Sequence, residues 1–391
     1  MSSELDYIRE YWEKITCHYP KDVGLRIGVP NPYVSPNHLR FRGDMFYWDS
    51  YFQNLGLIED GKTDLAKGIV DNLCHLFMRF GIIPARNRFY DLGQSQPPFL
   101  TSMILDIYEV TKDNEWLKRA ARIAEEELKN YWMARIFFAR EGHLVYKGLS
   151  RYNTHFLTHL TAEHESAWDL TSRYKHNCMD YLPVDLNSLL YKYEKDLEMI
   201  YSMFSNSVKT RKYSRMARKR KSAMVSLMWA DKRRFFFDYN YRLKKRSRFY
   251  SLAGYFPMWT RMATDEQAKG MVKNLRIFEH DGGLAVTQKE GLSKKFKQWD
   301  YPNGWPNMQW IVVKGLLNYG YKARAREIAL KWIRMNKKVF KKTGVFWEKY
   351  DVARCSPGKS GRYPNQPGFG WSNAVYLKLA NMFSRQPLTS K

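Results

Sequence analysis

Two tryptophans flank one carboxylate in Gln298-Trp299-Asp300-Tyr301-Pro302-Asn303-Gly304-Trp305. The same pairing of indole and acid recurs in Phe46-Tyr47-Trp48-Asp49-Ser50-Tyr51-Phe52 and in Glu165-Ser166-Ala167-Trp168-Asp169. Flat aromatic rings receive the apolar faces of sugars, while carboxylates and amides accept hydroxyl hydrogens, so these segments have the composition of a carbohydrate pocket. With 13 tryptophans in the chain, one such pair is expected by chance, but three are not. A carboxyl beside an indole is also partly desolvated, which favours its acid form near neutral pH. Breaking a glycosidic bond needs one carboxylic acid to protonate the leaving oxygen and one carboxylate to activate water or attack carbon. Asp169 after Trp168 and Glu348 after Trp347 are candidates for that pair.

These segments resemble the trehalases, a glycoside hydrolase family that splits α,α-trehalose into two glucoses with inversion. The resemblance runs in family order through Tyr47-Trp48-Asp49-Ser50-Tyr51-Phe52, Ser95-Gln96-Pro97-Pro98-Phe99, Trp168-Asp169, Pro183-Val184-Asp185-Leu186-Asn187-Ser188-Leu189 and Gln298 to Trp305. It continues to Glu348-Lys349-Tyr350-Asp351-Val352 and Gly368-Phe369-Gly370-Trp371-Ser372-Asn373, covering roughly residues 30 to 380. The resemblance implies that Asp169 is the general acid and Glu348 the general base. It also implies that Trp48, Asp49 and Gln96 bind the reacting glucose and that Trp305 forms part of the pocket floor. Trp168 is expected beside the sugar, and Asp300 either binds sugar or holds its turn together. Trp371 and Asn373 are pocket wall or packing.

Departures from the family pattern fall on expected substrate contacts. The opening Pro-Gly-Gly-Arg-Phe segment of the family reads Pro36-Asn37-His38-Leu39-Arg40-Phe41-Arg42 here, which makes Arg40, with Phe41, the expected sugar contact and leaves Arg42 as the rival arginine. Ala85 replaces a family asparagine, Gln94 stands where the family has arginine, and Phe46 stands for a tyrosine. The family's glycine-rich lid is shortened to Ser356-Pro357-Gly358-Lys359-Ser360-Gly361-Arg362-Tyr363, placing Arg362 where a substrate-binding glutamate is usual. An arginine there suits an anionic leaving group. Trehalose is the first expectation, with glucosylglycerate, mannosylglycerate or another small α-glycoside as the alternative. A non-catalytic sugar-binding or polyanion-binding protein is the competing class.

The elements that must position these residues are helical. Residues 64 to 80 place Leu65, Ile69, Leu73 and Phe77 on one face, stopped by Gly81, and residues 186 to 205 repeat the pattern. Further helices are expected at 101–112, 114–134, 213–231, 264–273, 307–320 and 322–338. A short strand is expected at Arg234-Phe235-Phe236-Phe237-Asp238-Tyr239, paired near 246–250. The chemistry-bearing motifs fall in Pro-, Gly- and aromatic-rich loops between helices. The pattern alone gives a large all-α domain. The resemblance implies an (α/α)6 barrel of six-hairpin glycosidase type, with one catalytic domain over residues 1–391.

Composition bounds the rest. The chain has 391 residues, 44% of them hydrophobic, enough for a large core. Its N-terminal stretch lacks the basic and apolar regions of a secretory signal, and no apolar run reaches membrane-spanning length, which points to a cytoplasmic protein with no membrane partner. Cys17, Cys74, Cys178 and Cys355 form no CxxC pair and read as free thiols. No phosphate-cradling glycine loop is visible, and no cofactor is expected. His155, His159 and His164 have spacing that raises a metal site, but the segment lacks the glutamate of a zinc-protease motif. Hydrolysis of a neutral sugar does not account for the net charge of +26. Part of it lies in the basic runs 209–221 and 242–248, which are either solvated faces or contacts for nucleic acid or another polyanion.

Overall fold

The computed structural model describes residues 3–137 and 140–383; Met1, Ser2 and the segment after Phe383 lie outside the described residues. In chain order the helices are α1 (Glu4–Ile15), α2 (Tyr47–Glu59), α3 (Thr63–Phe80), α4 (Leu100–Thr111), α5 (Asn114–Glu127), α6 (His159–Glu165) and α7 (Val184–Met203). They continue with α8 (Ser207–Met228), α9 (Phe256–Trp259), α10 (Asp265–Asn274), α11 (Pro306–Asn318), α12 (Lys322–Thr343) and α13 (Gly370–Phe383).

Burial sorts these helices into two layers. Almost every residue of α2 and α11 is buried, whereas α3, α5 and α12 bury one stripe and expose the opposite face. A helix buried all round must be surrounded by others. Contacts close a ring in the order α2, α4, α7, α9, α11, α13 and back to α2. Each ring helix except α13 runs through a short connection into an outer one: α3, α5, α8, α10 and α12 in turn. The last ring helix, α13, packs against α1 from the other end of the chain. Six inner helices, each with an outer partner, make the (α/α)6 barrel.

Local sequence sets the stops and turns. Gly81 and Gly344 end α3 and α12 at φ 70° and 72°, a left-handed conformation that glycine adopts without penalty. Thr264 and Gln267 form a reciprocal capping box at the start of α10. Gly56 lets α2 approach α13, because a Cβ there would stand 2.5 Å from the Ala374 Cα.

The expected helices at 64–80, 101–112, 186–205, 264–273 and 307–320 are found within a few residues. That at 114–134 is α-helical only to Glu127 and continues as a π-helix over Leu128–Trp132. Helix α8 spans 207–228 rather than 213–231, and α12 extends to Thr343. The strand expected at 234–239 is instead two short strands. Phe235–Phe236 pairs with Trp229–Ala230, while Tyr239–Asn240 pairs with both Lys245–Arg246 and Tyr181–Leu182.

The six inner helices point the same way. Residues at or just before the starts of α2, α4, α11 and α13, namely Trp48, Gln96, Trp305 and Trp371, line one cavity. Residues from the C-terminal halves of α2, α4, α7, α11 and α13, such as Ile58, Asp106, Met199, Lys314 and Lys378, line another at the opposite end. The positive ends of the inner-helix dipoles therefore face the first cavity.

Candidate active site

The cavity at the helix starts measures about 330 Å³, within the range of small-molecule pockets. Its wall includes Arg40, Phe41, Trp48, Asp49, Gln96, Asp169, Trp305, Glu348 and Arg362, so nine residues singled out from sequence converge on one space. Arg42 is not among the lining residues. The rival arginines are thereby separated, and Arg40 stacks over Tyr363 at 5.0 Å.

Two expected contacts lie elsewhere. Trp168 is fully buried behind the wall, against Trp299 at 5.1 Å and beneath the Arg173 guanidinium at 4.9 Å, while its neighbours Ala167 and Asp169 face the cavity. Asp300 is also buried away from the cavity. It accepts hydrogen bonds from Ser172 N at 2.8 Å, Ser172 Oγ at 2.5 Å and Thr171 Oγ1 at 3.2 Å. Of the two roles open to Asp300, the turn-holding one matches this geometry.

That strut matters because the Asp169 loop is conformationally costly. Ala167 and Leu170, flanking the Trp-Asp pair, hold φ of 57° and 65°, a region that non-glycine residues occupy only when their surroundings enforce it. The enforcement comes from Asp300, from Glu163 Oε1 accepting Thr171 N at 2.9 Å, and from Lys297 Nζ donating to Thr171 O at 2.8 Å. Gln298 Nε2 donates to Asp169 Oδ2 at 2.7 Å, leaving the other carboxylate oxygen to carry a proton.

Trp48 and Asp49 enter on the first turn of α2, whose N-cap, Phe46, makes no side-chain cap. Gln96 Oε1 takes that role by accepting the Trp48 N–H at 3.0 Å. Gln96 thus joins the wall and fixes the helix start. Glu348 is 1% exposed and held from two sides, by Lys349 Nζ at 2.7 Å from Oε2 and by the Tyr363 hydroxyl donating to Oε1 at 2.6 Å. The Lys349 ammonium also sits 4.8 Å over the Trp305 ring, which stacks on Trp299 at 3.9 Å and meets Trp371 edge-on.

Four acids line the cavity, and three of them, Asp49, Asp169 and Glu348, interact. Burial pushes Asp49 well above the usual carboxylate range, and the charges of Glu348 and Asp169 push it further. Burial also raises Asp169; the Arg362 guanidinium opposes that shift and Glu348 reinforces it. The arrangement favours the protonated forms of Asp49 and Asp169, while Glu348 accepts from an ammonium and a hydroxyl. At the mouth, Arg362 Nη1 donates to His164 Nε2 at 3.2 Å, and burial plus the arginine's charge lower His164 to about 4.

Several residues in or just behind the wall have no role assigned from sequence. Lys349 directly follows Glu348, and only the loop geometry turns both side chains toward one another. Tyr363 stood in the recognised lid segment, so the segment was visible but not the hydroxyl's partner. Arg86 and Asp91 form a 2.5 Å ion pair in the wall, with Asp44 on the other side of the guanidinium. Of the three histidines, His164 belongs to the mouth, whereas His159 Nδ1 accepts from Met179 N at 3.2 Å. Among the described residues no group of three His, Cys, Asp or Glu is gathered to hold a metal.

The family pattern described as Trehalase matches residues 20–155 and 149–384. The cytosolic neutral trehalase of Saccharomyces cerevisiae is 32% identical over 95% of this chain and 60% of its own length. The periplasmic trehalase of Xanthomonas oryzae pv. oryzae is 30% identical over 97% of this chain and 73% of its own. Among solved structures, neutral trehalase Nth1 from Saccharomyces cerevisiae superposes with a TM-score of 0.79 at 31% identity, covering 90% of this chain and 73% of that one. The chain spans about 60% of the length of the fungal relatives it matches.

Proposed function

This chain belongs to the trehalase family, and from that premise we propose that it is an inverting α-glycoside hydrolase that cleaves α,α-trehalose into two glucoses. The observation that carries the reading is the convergence of Asp169, Glu348 and Asp49 on one aromatic-lined cavity. In the reaction Asp169 donates its proton to the glycosidic oxygen as the bond to the anomeric carbon breaks. Glu348 takes a proton from a water that attacks that carbon from the opposite face. The products are one β-glucose and one α-glucose; Asp169 ends ionised and Glu348 protonated, and solvent exchange resets both.

Asp49, kept protonated by burial and by its two acidic neighbours, both donates to and accepts from sugar hydroxyls without adding a third negative charge. Trp48, Trp305, Phe41 and Arg40 enclose the ring. Desolvation by this wall makes each polar contact count for more. We place the activity in one catalytic domain acting on a small-molecule substrate, and assign it to the cytoplasm by likeness to the cytosolic relatives. Among the described residues no helix is long and apolar enough to cross a membrane.

The test is glucose release from trehalose by the purified protein, with the first-formed anomers recorded by proton NMR. Prompt β-glucose alongside α-glucose is the expected result, and α-glucose alone refutes inversion. One observation favours a second substrate: among the described residues Arg362 forms no ion pair with a carboxylate, yet it faces the cavity beside Asp169. Turnover of glucosylglycerate or mannosylglycerate without turnover of trehalose would select that reading.

A further inference from the structure

Sugar hydrolysis makes no use of the chain's positive charge, and the two basic runs differ in how the fold treats them. On α8 the charge is partly absorbed: Lys209 and Lys212 pair with Glu125, and the buried Arg220 pairs with Glu194. The second run is handled otherwise. A groove of about 940 Å³ on the barrel flank is lined by Lys175, Arg233, Lys244, Lys245, Arg246 and Arg248, and no carboxylate side chain lines it. None of these six makes an ion pair with Asp or Glu among the described residues; the nearby Arg242 pairs with Glu141 instead.

The groove is built by backbone geometry. Tyr239–Asn240 and Lys245–Arg246 form a tight hairpin on the Tyr181–Leu182 strand. Asn240 Oδ1 accepts Leu243 N at 2.8 Å, and Lys244 takes a left-handed φ of 51°. Strand alternation would send Lys244 and Lys245 to opposite faces, but this turn brings both to the same cavity. Arg246 closes the floor by donating from Nε to Leu227 O at 2.9 Å and from Nη2 to Ser226 O at 3.4 Å at the end of α8. Its guanidinium is part-buried against main-chain carbonyls with no carboxylate bonded to it, and burial lowers its pKa despite the charge of nearby Asp231. A cation that has lost water without gaining a bonded counter-ion is stabilised by any anion that fills the space.

We propose that this groove is a binding site for a small phosphate-bearing anion. Phosphate matches the arrangement better than a single carboxylate, because its oxygens accept bonds from several guanidinium and ammonium groups at once and its charge exceeds one. The cations converge across a concave space bounded by the hairpin, by Lys175 and by the turn from Gln288 to Gly291. That confinement favours a compact ligand over a polymer track. The site is separate from the candidate active cavity, with which it shares no lining residue.

The experiment is calorimetric titration of the full chain with inorganic pyrophosphate at low salt, on the wild type and on a Lys244→Glu, Lys245→Glu double variant. Both substituted side chains are exposed, and the ladder that Lys245 makes with Asn240 runs through its backbone, which the substitution keeps. Single-site saturable binding is expected, weakened about tenfold or more by the double variant and by raised salt, with trehalose hydrolysis unchanged. A folded wild type that binds no pyrophosphate overturns the proposal. So does binding that the double variant leaves intact, which would place the anion at Arg40 and Arg362, and pyrophosphate would then compete with trehalose. A single-stranded oligonucleotide bound at least about tenfold more tightly than pyrophosphate, with a steep dependence on salt, would replace the small-anion site by a nucleic-acid surface.

Discussion

Lys349→Met removes the ammonium that stands 2.7 Å from Glu348 Oε2 and keeps a side chain of similar length in a site where Lys349 has no exposed surface. Two unit charges 2.7 Å apart at an effective dielectric of about 20 attract by about 6 kcal/mol. Desolvation of the buried ammonium offsets part of that, and removing one partner of a buried ion pair ordinarily costs about 3–5 kcal/mol because the remaining charge is left uncompensated. Lys349→Met is therefore expected to lower stability in urea unfolding by about 3–5 kcal/mol, whereas Lys349→Met combined with Glu348→Gln, which removes both charges, should recover about 1–3 kcal/mol of that loss. Strictly additive effects of the two substitutions would mean that Lys349 supports the pocket's shape and not the charge of Glu348, refuting the argument.

Four other outcomes are expected. Asp169→Asn and Glu348→Gln should each lower turnover by about 10² or more with the fold retained, measured as glucose release and thermal midpoint; near-normal turnover in either would show that the carboxylate is misassigned. Arg362→Gln removes the charge that opposes the raised pKa of Asp169, so the basic limb of the rate profile should move to higher pH, and an unmoved limb would count against Asp169 as the acid. Glu163, 3% exposed, is raised by burial from 4.5 to about 7, so the folded state holds its proton across that window and stability falls as pH rises through it, by about 3 kcal/mol from this group. Glu163→Gln should flatten that slope in urea midpoints taken at pH 5 and pH 8. Gly56→Ala drives a methyl into Ala374 at the α2–α13 crossing and is expected to destabilise by about 1–3 kcal/mol in the same assay.

Legibility from sequence followed exposure only in part. The outer helices α3, α8, α10 and α12 alternate apolar and charged faces because one side meets water, and that periodicity can be read without the fold. Helices α2 and α13, enclosed on nearly all sides with little polar face to set a period, and the four-residue α9 were not anticipated. The equally enclosed α11 was anticipated, and α1 was not, although one face of it is exposed. The acids and indoles of the pocket were visible as types at recognisable spacings. Their partners were less so, since Arg86 with Asp91 and His164 with Arg362 are ordinary residues until the loops meet.

The sequence by itself determined the helical character and the family, because those rest on which side chains occur and in what order. Only the tertiary structure decided that Arg40 rather than Arg42 reaches the cavity, and that Trp168 and Asp300 stand behind the wall. It also separated the absorbed charge of α8 from the uncompensated charge of the 242–248 hairpin. These are distinctions of direction and desolvation. A residue's orientation and its distance from a counter-charge depend on contacts made from distant parts of the chain, and no local pattern encodes them.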